Sequence, residues 1–473
     1  MNSKTEKYDL HVDEGTHRGK MGVWVTGLFI VGEMAGGGLV AMANAVMNAW
    51  WFGIALIVLG ALASSFTGTR LGACWTMLQE RYPDYRKQTR RPYPEIAERA
   101  AGKWARYMTS VFVDITLVGG ATVFLLLSSQ NIQSLLEEWG DIDMTFCAWV
   151  GIIGAILLPV TFLGTPSEFW PVAIGAMIVS ALACLLMVIG MAIDHSNATF
   201  TPQYNLPSFV DFFLAFGTIL FAYGGQSAFP TIQHEMKTPA KFGRSVVIGM
   251  SIILVLYLVA PVMGYVVYGD QLALNRGNLL NSMGVDWVRH SATILITLHL
   301  VLSFTIVVNP VNQEIEELLH IPHHFNWKRM VTRTCLMIFI VFLAETVPHF
   351  GTLLNLVGSS TITALTFICP NWYYLSLKAQ DDPAYSNGAY IIGSTSVDDL
   401  RGVAGNRWER FKYYCKRLPE KVPIYQIVIC IVICIVGFIG IVAGTYAAVD
   451  AIVHPSGTVF TVPCYVNFTA AMG

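Results

Sequence analysis

The stretch that decides the fold is Gly32-Glu33-Met34-Ala35-Gly36-Gly37-Gly38, which lies inside an otherwise apolar run from about residue 22 to 47. A membrane-crossing helix needs about 20 apolar residues, and this run supplies them. Glycine weakens a helix by about 1 kcal/mol relative to alanine, so three in succession predict a local break. In lipid an interrupted backbone is tolerated only where it is buried in protein or lines a cavity. A second run, about 209–233, carries a matching interruption at Ala222-Tyr223-Gly224-Gly225-Gln226.

Outward from these two stretches the same character repeats. Eleven runs are long and apolar enough to span: about 22–47, 50–72, 106–128, 146–164, 169–192, 209–233, 245–268, 290–316, 330–348, 351–377 and 423–447. Charged residues make up 13% of the 473, about half the ~25% usual in globular proteins, and mean hydropathy is +0.54. Lipid must therefore be part of the solvent. Runs such as Ile152–Val160 do not alternate, which excludes a transmembrane β-barrel. The expected fold is an all-α polytopic membrane protein of eleven helices. A net charge of −2 with no basic tail gives no footing for nucleic acid.

Lysine and arginine set the expected orientation. With the N-terminus in the cytoplasm, 27 of the 29 basic residues fall inside, leaving only Arg276 and Arg289 outside. The sequons at Asn197 and Asn467 both fall outside on this topology, as glycosylation requires. The predicted divisions are a cytoplasmic tail over 1–21, a membrane domain over 22–447 with a cytoplasmic loop at 378–422, and an extracellular or lumenal tail over 448–473. The membrane is that of the cell surface or of a lysosome or vesicle. Arg18, Lys20 and the small-residue run 41–45 mimic a cleaved signal, but Asp13, Glu14 and Glu33 speak against it. The nine cysteines read as small buried hydrophobes and not as a disulfide framework; only Cys147 and Cys464 fall near the outer face.

The two interruptions head spans 1–5 and 6–10, which run in opposite senses. Broken helices at corresponding positions of two halves point to an inverted repeat with a central site. Amides of Ala35, Gly36, Gly37 and Gly38 would face a carboxylate at a half-helix N-terminus. Carbonyls of Phe221, Ala222, Tyr223 and Gly224 would face an ammonium group, with Tyr223 also a gate. An α-amino acid supplies both charges. The competing reading is close helix packing, for which Gly32 and Gly36 have the right spacing. With no phosphate loop, nucleoside triphosphate is not the expected energy source.

The stretch Phe216–Gly225, followed by Phe229-Pro230 and Glu235-Met236-Lys237-Thr238-Pro239, resembles the sixth span and following loop of the amino acid/auxin permease family. Tyr93-Pro94-Glu95-Ile96-Ala97, Gly264-Tyr265, Tyr268-Gly269-Asp270, Phe350-Gly351 and Leu356-Val357-Gly358 add to the likeness, which runs from about residue 20 to 447. The resemblance implies a LeuT-like five-plus-five fold with an eleventh span, and amino acid transport coupled to H⁺ or Na⁺ without another cofactor. It places Phe124 near the substrate as a second gate, and Ser303 with Thr305 as a hydroxyl pair facing span 1 that could ligate Na⁺. Three positions depart from the family pattern: no proline follows the span 1 glycines, Gln226 stands where histidine is frequent, and Glu33 replaces a neutral polar residue.

Glu33 admits three readings: a proton-coupling carboxyl, a structural cap or pair, and a reader of cationic substrate. A charge at that depth costs at least ~2.5–3.5 kcal/mol, so something must offset it. Asp114 and His299 are further candidates for a proton relay, against the plainer reading of polar groups paired within the bundle. A sensor with the same fold and little flux, a channel and a membrane enzyme are the rival functions.

Overall fold

The computed structural model describes residues 19–87, 89, 91–140, 144–162, 170–197, 201–275, 278–321, 326–380, 416–453 and 463–466. Helices account for its regular structure, with one isolated parallel β-bridge between Met21 and Met236. The first apolar run forms two helices, α1 (Val23–Met34) and α2 (Gly37–Ala49), bent by 61° at the glycines. Ala35 closes α1 by donating its amide to Val31 O at 2.9 Å. Gly36 then leaves helical geometry at ψ −88°, and α2 begins.

There follow α3 (Phe52–Arg81), α4 (Pro92–Ala101), α5 (Lys103–Gly140), α6 (Phe146–Thr161) and α7 (Trp170–Asn197). The second interrupted run forms α8 (Phe209–Ala222) and, after Tyr223, Gly224 and a single tight turn, α9 (Phe229–His234). The chain continues through α10 (Phe242–Tyr268), α11 (Asp286–Leu318), α12 (Trp327–Thr346), α13 (Phe350–Val357), α14 (Cys369–Ala379) and α15 (Ile424–Val453). Between α13 and α14 the helix widens into π turns over 358–362 and 364–368, where Thr363 Oγ1 bonds back to Gly358 O at 2.7 Å. Among the described residues eight helical stretches are long and apolar enough to cross a membrane, or nine with the bent pair. Of the other two runs, α6 has 16 residues, and α12 opens with Lys328, Arg329 and Arg333.

The interrupted helices sit at the centre. In the Phe209–His234 stretch 67% of the apolar window is buried, against 22% in α15, so α15 is peripheral and the α8 break is walled by protein. The first pair packs on α7, α8 and α10. Gly32 is a packing glycine: a side chain there would overlap the backbone of Ala173 in α7. His349, which precedes α13, accepts from Thr352 N at 3.4 Å and caps that helix.

One expectation is corrected. Cys147 and Cys464 form a disulfide across 317 residues, whereas Cys74, Cys184, Cys369 and Cys430 are buried thiols as read. The bridge holds the segment 463–466 to the start of α6, and Cys464 N adds a bond to Glu345 O at 2.9 Å. No local spacing announces a pair so far apart. Cys147→Ser should lower the thermal transition of detergent-solubilised protein by several degrees, as bridges contribute ~2–4 kcal/mol in soluble proteins. It should also make Cys464 reactive to maleimide, and an unchanged melt with an unreactive Cys464 would count against the tie. Asn197 is exposed at the end of α7, while Asn467 and most of the 378–422 loop lie outside the described residues.

Candidate functional site

The first four N–H groups of a helix lack intrahelical partners, and the dipole makes that end positive. At the start of α2 no side chain caps them. The amides of Gly37 and Gly38 lie in that first turn. Each glycine also lies where another group approaches. The His299 imidazole stands where a Gly36 Cβ would be. The Phe124 ring would touch a Cβ on Gly37 at 3.4 Å, and Ala222 Cβ and the Tyr257 hydroxyl would lie 2.7 Å from one on Gly38. Thus Gly36, Gly37, Gly38, Phe124 and Ala222 are brought together. Ala35 does not join them as a donor, because its amide already serves Val31 O.

The carbonyls at the second break are less free than the sequence implies. Phe221 O accepts from Gly224 N at 2.9 Å, Ala222 O from Tyr257 OH at 3.1 Å, and Tyr223 O from Ser64 Oγ at 3.2 Å. Each keeps one lone pair, since a carbonyl oxygen has two. Tyr223 is fully buried, edge-on to Tyr257 with ring centroids 5.5 Å apart, and its hydroxyl has no partner. The side chain of Phe221 leans on Gly358, and Gly224 meets Ile362. Gln226 is a brace: its Nε2 donates to Ser64 O at 2.9 Å and Thr67 Oγ1 at 2.8 Å.

Glu33 adjoins both breaks. A Cβ on Gly225 would stand 2.7 Å from its Oε2, which is buried without a hydrogen-bond partner. The residue is 8% exposed and forms no ion pair among the described residues. On the other side of α1, His299 is held through Nδ1 by Ser180 Oγ at 2.7 Å and Ala176 O at 3.0 Å. Its Nε2 meets Ser303 Oγ at 3.1 Å, and Ser303 Oγ reaches Gly32 O at 3.3 Å. The expected hydroxyl pair does not converge. Thr305 is two residues on, about 200° around the helix, and its Oγ1 has no partner.

Asp114 faces the α9 side of the second break. It lines a cavity of about 100 Å³ with Phe29, Ser227, Thr231, Arg91 and Glu314. There Glu314 accepts from Ser110 Oγ at 2.8 Å and pairs with Arg91 at 2.8 Å. No group of three His, Cys, Asp or Glu side chains among the described residues could hold a metal ion.

Tyr257 and Ser64 escaped the sequence reading. A tyrosine and a serine in apolar spans look like core, and their partners lie 223 and 159 residues away. The glycine runs were the available hint, since close backbone approach creates the need for such donors.

Residues 19–386 match the family model described as transmembrane amino acid transporter protein. The chain belongs to this family. It is 23% identical to the amino acid transporter AVT1C of Arabidopsis thaliana over 89% of this chain and 68% of that protein. The amino acid transporter AVT1D of the same plant is 25% identical over 73% of this chain and 62% of its own length. Among solved structures it resembles Mhp1, a nucleobase-cation-symport-1 family transporter in a closed conformation, with TM-score 0.57 and 13% identity over 92% and 94% of the two chains. It also resembles MhsT in complex with L-phenylalanine, with TM-score 0.53 and 10% identity over 92% and 100%. These likenesses make the fold LeuT-like. Membership sets the enzyme reading aside: this is a multi-pass membrane transporter of the amino acid family.

Proposed function

We propose that this transporter carries an α-amino acid by alternating access, in symport with a proton. The observation that carries the reading is the uncapped N-terminus of α2 facing the end of α8, with a Cβ on Gly38 only 2.7 Å from Ala222 Cβ. The substrate carboxylate takes the Gly37 and Gly38 amides, and its ammonium group takes the spare lone pairs of the break carbonyls. L-phenylalanine bound to MhsT supports a ligand of this class.

Glu33 carries the proton on this reading. A buried carboxylate with no counter-charge needs a cation brought to it, and Ser303 and Thr305 lack the converging oxygens that sodium would want. The eleven helical runs then form two five-span halves of opposed topology plus α15. The N-terminus is cytoplasmic. The Cys147–Cys464 bridge supports this orientation, because disulfides persist on the oxidising side.

Proteoliposomes loaded with a panel of radiolabelled amino acids test the proposal. Saturable uptake driven by an inward proton gradient is expected, with counterflow in its absence. Binding without counterflow of any panel member would replace the carrier with a sensor, and accumulation driven only by sodium would remove the proton from the mechanism.

A further inference from the structure

The hydroxyl of Tyr257, in α10, lies 2.8 Å from Met34 O and 3.1 Å from Ala222 O. Met34 is the last residue of α1 and Ala222 the last of α8. Both carbonyls end a half-helix, where they lack an intrahelical partner and carry the negative end of the dipole. Tyr257 is fully buried. A phenol has one proton to donate, so it bonds one carbonyl while its dipole faces the other. An ammonium group has three donors and can hold both. Two negative helix ends and one neutral donor describe a place built for a cationic head.

We propose that the Tyr257 hydroxyl is a built-in stand-in for the substrate's ammonium group. It holds the two break carbonyls while the site is empty and yields them when an amino acid binds. The inference rests on the transport reading above and deepens it. An alternating-access carrier must return empty after each delivery, and two unsatisfied carbonyls at its centre would burden that step. Tyr257 supports the empty carrier and, for the same reason, competes with substrate.

The test reconstitutes wild type and Tyr257→Phe and follows tritiated L-alanine, L-glutamine, L-leucine and L-phenylalanine in net uptake and in exchange. Exchange does not need the empty carrier to return. In Tyr257→Phe the KM should fall about tenfold, equivalent to ~1.4 kcal/mol. Net uptake should fall by a similar factor, with exchange retained within about threefold. Ser245→Ala is the control, because Ser245 of α10 also donates to α1, at Val23 O and 2.9 Å, away from the breaks; its KM should not move. Should Tyr257→Phe fail to fold, 3-fluorotyrosine at 257, a stronger donor of nearly the same size, should raise KM. A KM that rises or stays constant in Tyr257→Phe, uptake and exchange falling in equal proportion, a fluorinated residue that leaves KM unmoved, or Ser245→Ala reproducing the effect would each overturn the proposal. If wild type neither accumulates nor exchanges any of the four, transport itself fails and this inference falls with it. If wild type transports and Tyr257→Phe matches it, the inference alone falls.

Discussion

Glu33→Gln should abolish proton-driven accumulation, by at least about tenfold, while leaving exchange of substrate across the membrane. The glutamine keeps the size of the side chain and removes the group that can gain and lose a charge. Glu33 is 8% exposed, and its Oε2 meets neither a donor nor a cation. A carboxylate left so at bilayer depth costs ~2.5–3.5 kcal/mol on insertion scales and more in other treatments. That penalty is relieved each time a proton is taken up, and a permanently neutral side chain has no such cycle. Uptake against a gradient would be lost, whereas exchange, which needs binding and reorientation alone, would persist. Initial rates with and without an imposed proton gradient read both quantities. Full accumulation by Glu33→Gln would end the assignment, and loss of binding together with exchange would mean that Glu33 reads the substrate.

The second large effect belongs to Gly36. A methyl group at this position would occupy the space of the His299 imidazole. That ring cannot step aside cheaply, because Ser180, Ala176 O and Ser303 hold both of its nitrogens. Overpacking a close-packed interior costs ~1–3 kcal/mol, and here the strain falls at the bend that sets the angle between α1 and α2. Gly36→Ala should therefore bring transport below detection and reduce the yield of folded protein. Joining it with His299→Ala should restore folding through the vacated volume. The coupling is read as a double-mutant cycle on thermal stability. Additive losses would show that the two residues do not share the space.

These residues also show how far the sequence could be read. The breaks were legible because glycine in the middle of an apolar run contradicts the helix that lipid demands, and both Ala35-Gly36 and Tyr223-Gly224 are where helices end. The identities of the partners were not. Ser64, Thr67 and Tyr257 lie in helices that read as ordinary membrane spans, and only the tertiary arrangement shows which group each one serves. Ser303 faces span 1, at Gly32 O. Thr305 does not converge with it, because adjacency in sequence is not adjacency on a helix. Ala35 fell on the wrong side of the bend: two residues before Gly37, it still belongs to the hydrogen-bonding pattern of α1.

The Met21–Met236 bridge has a different kind of consequence. Met21 N donates to Glu235 O at 3.0 Å, and Lys237 N donates to Met21 O at 2.9 Å. The entry to α1 and the exit from α9 are thereby fastened by main-chain atoms alone. Such a joint is indifferent to the alphabet of side chains. Nearly every amino acid at position 21 or 237 supplies the same N–H, and proline alone withholds it. The hydrogen bonds themselves survive most substitutions, even though Met21 is buried, so the fastening leaves little trace in the identity of the residues that make it. What would be held constant is the count of residues between the strap and the helix it leads, a spacing inherited as length and not as letters.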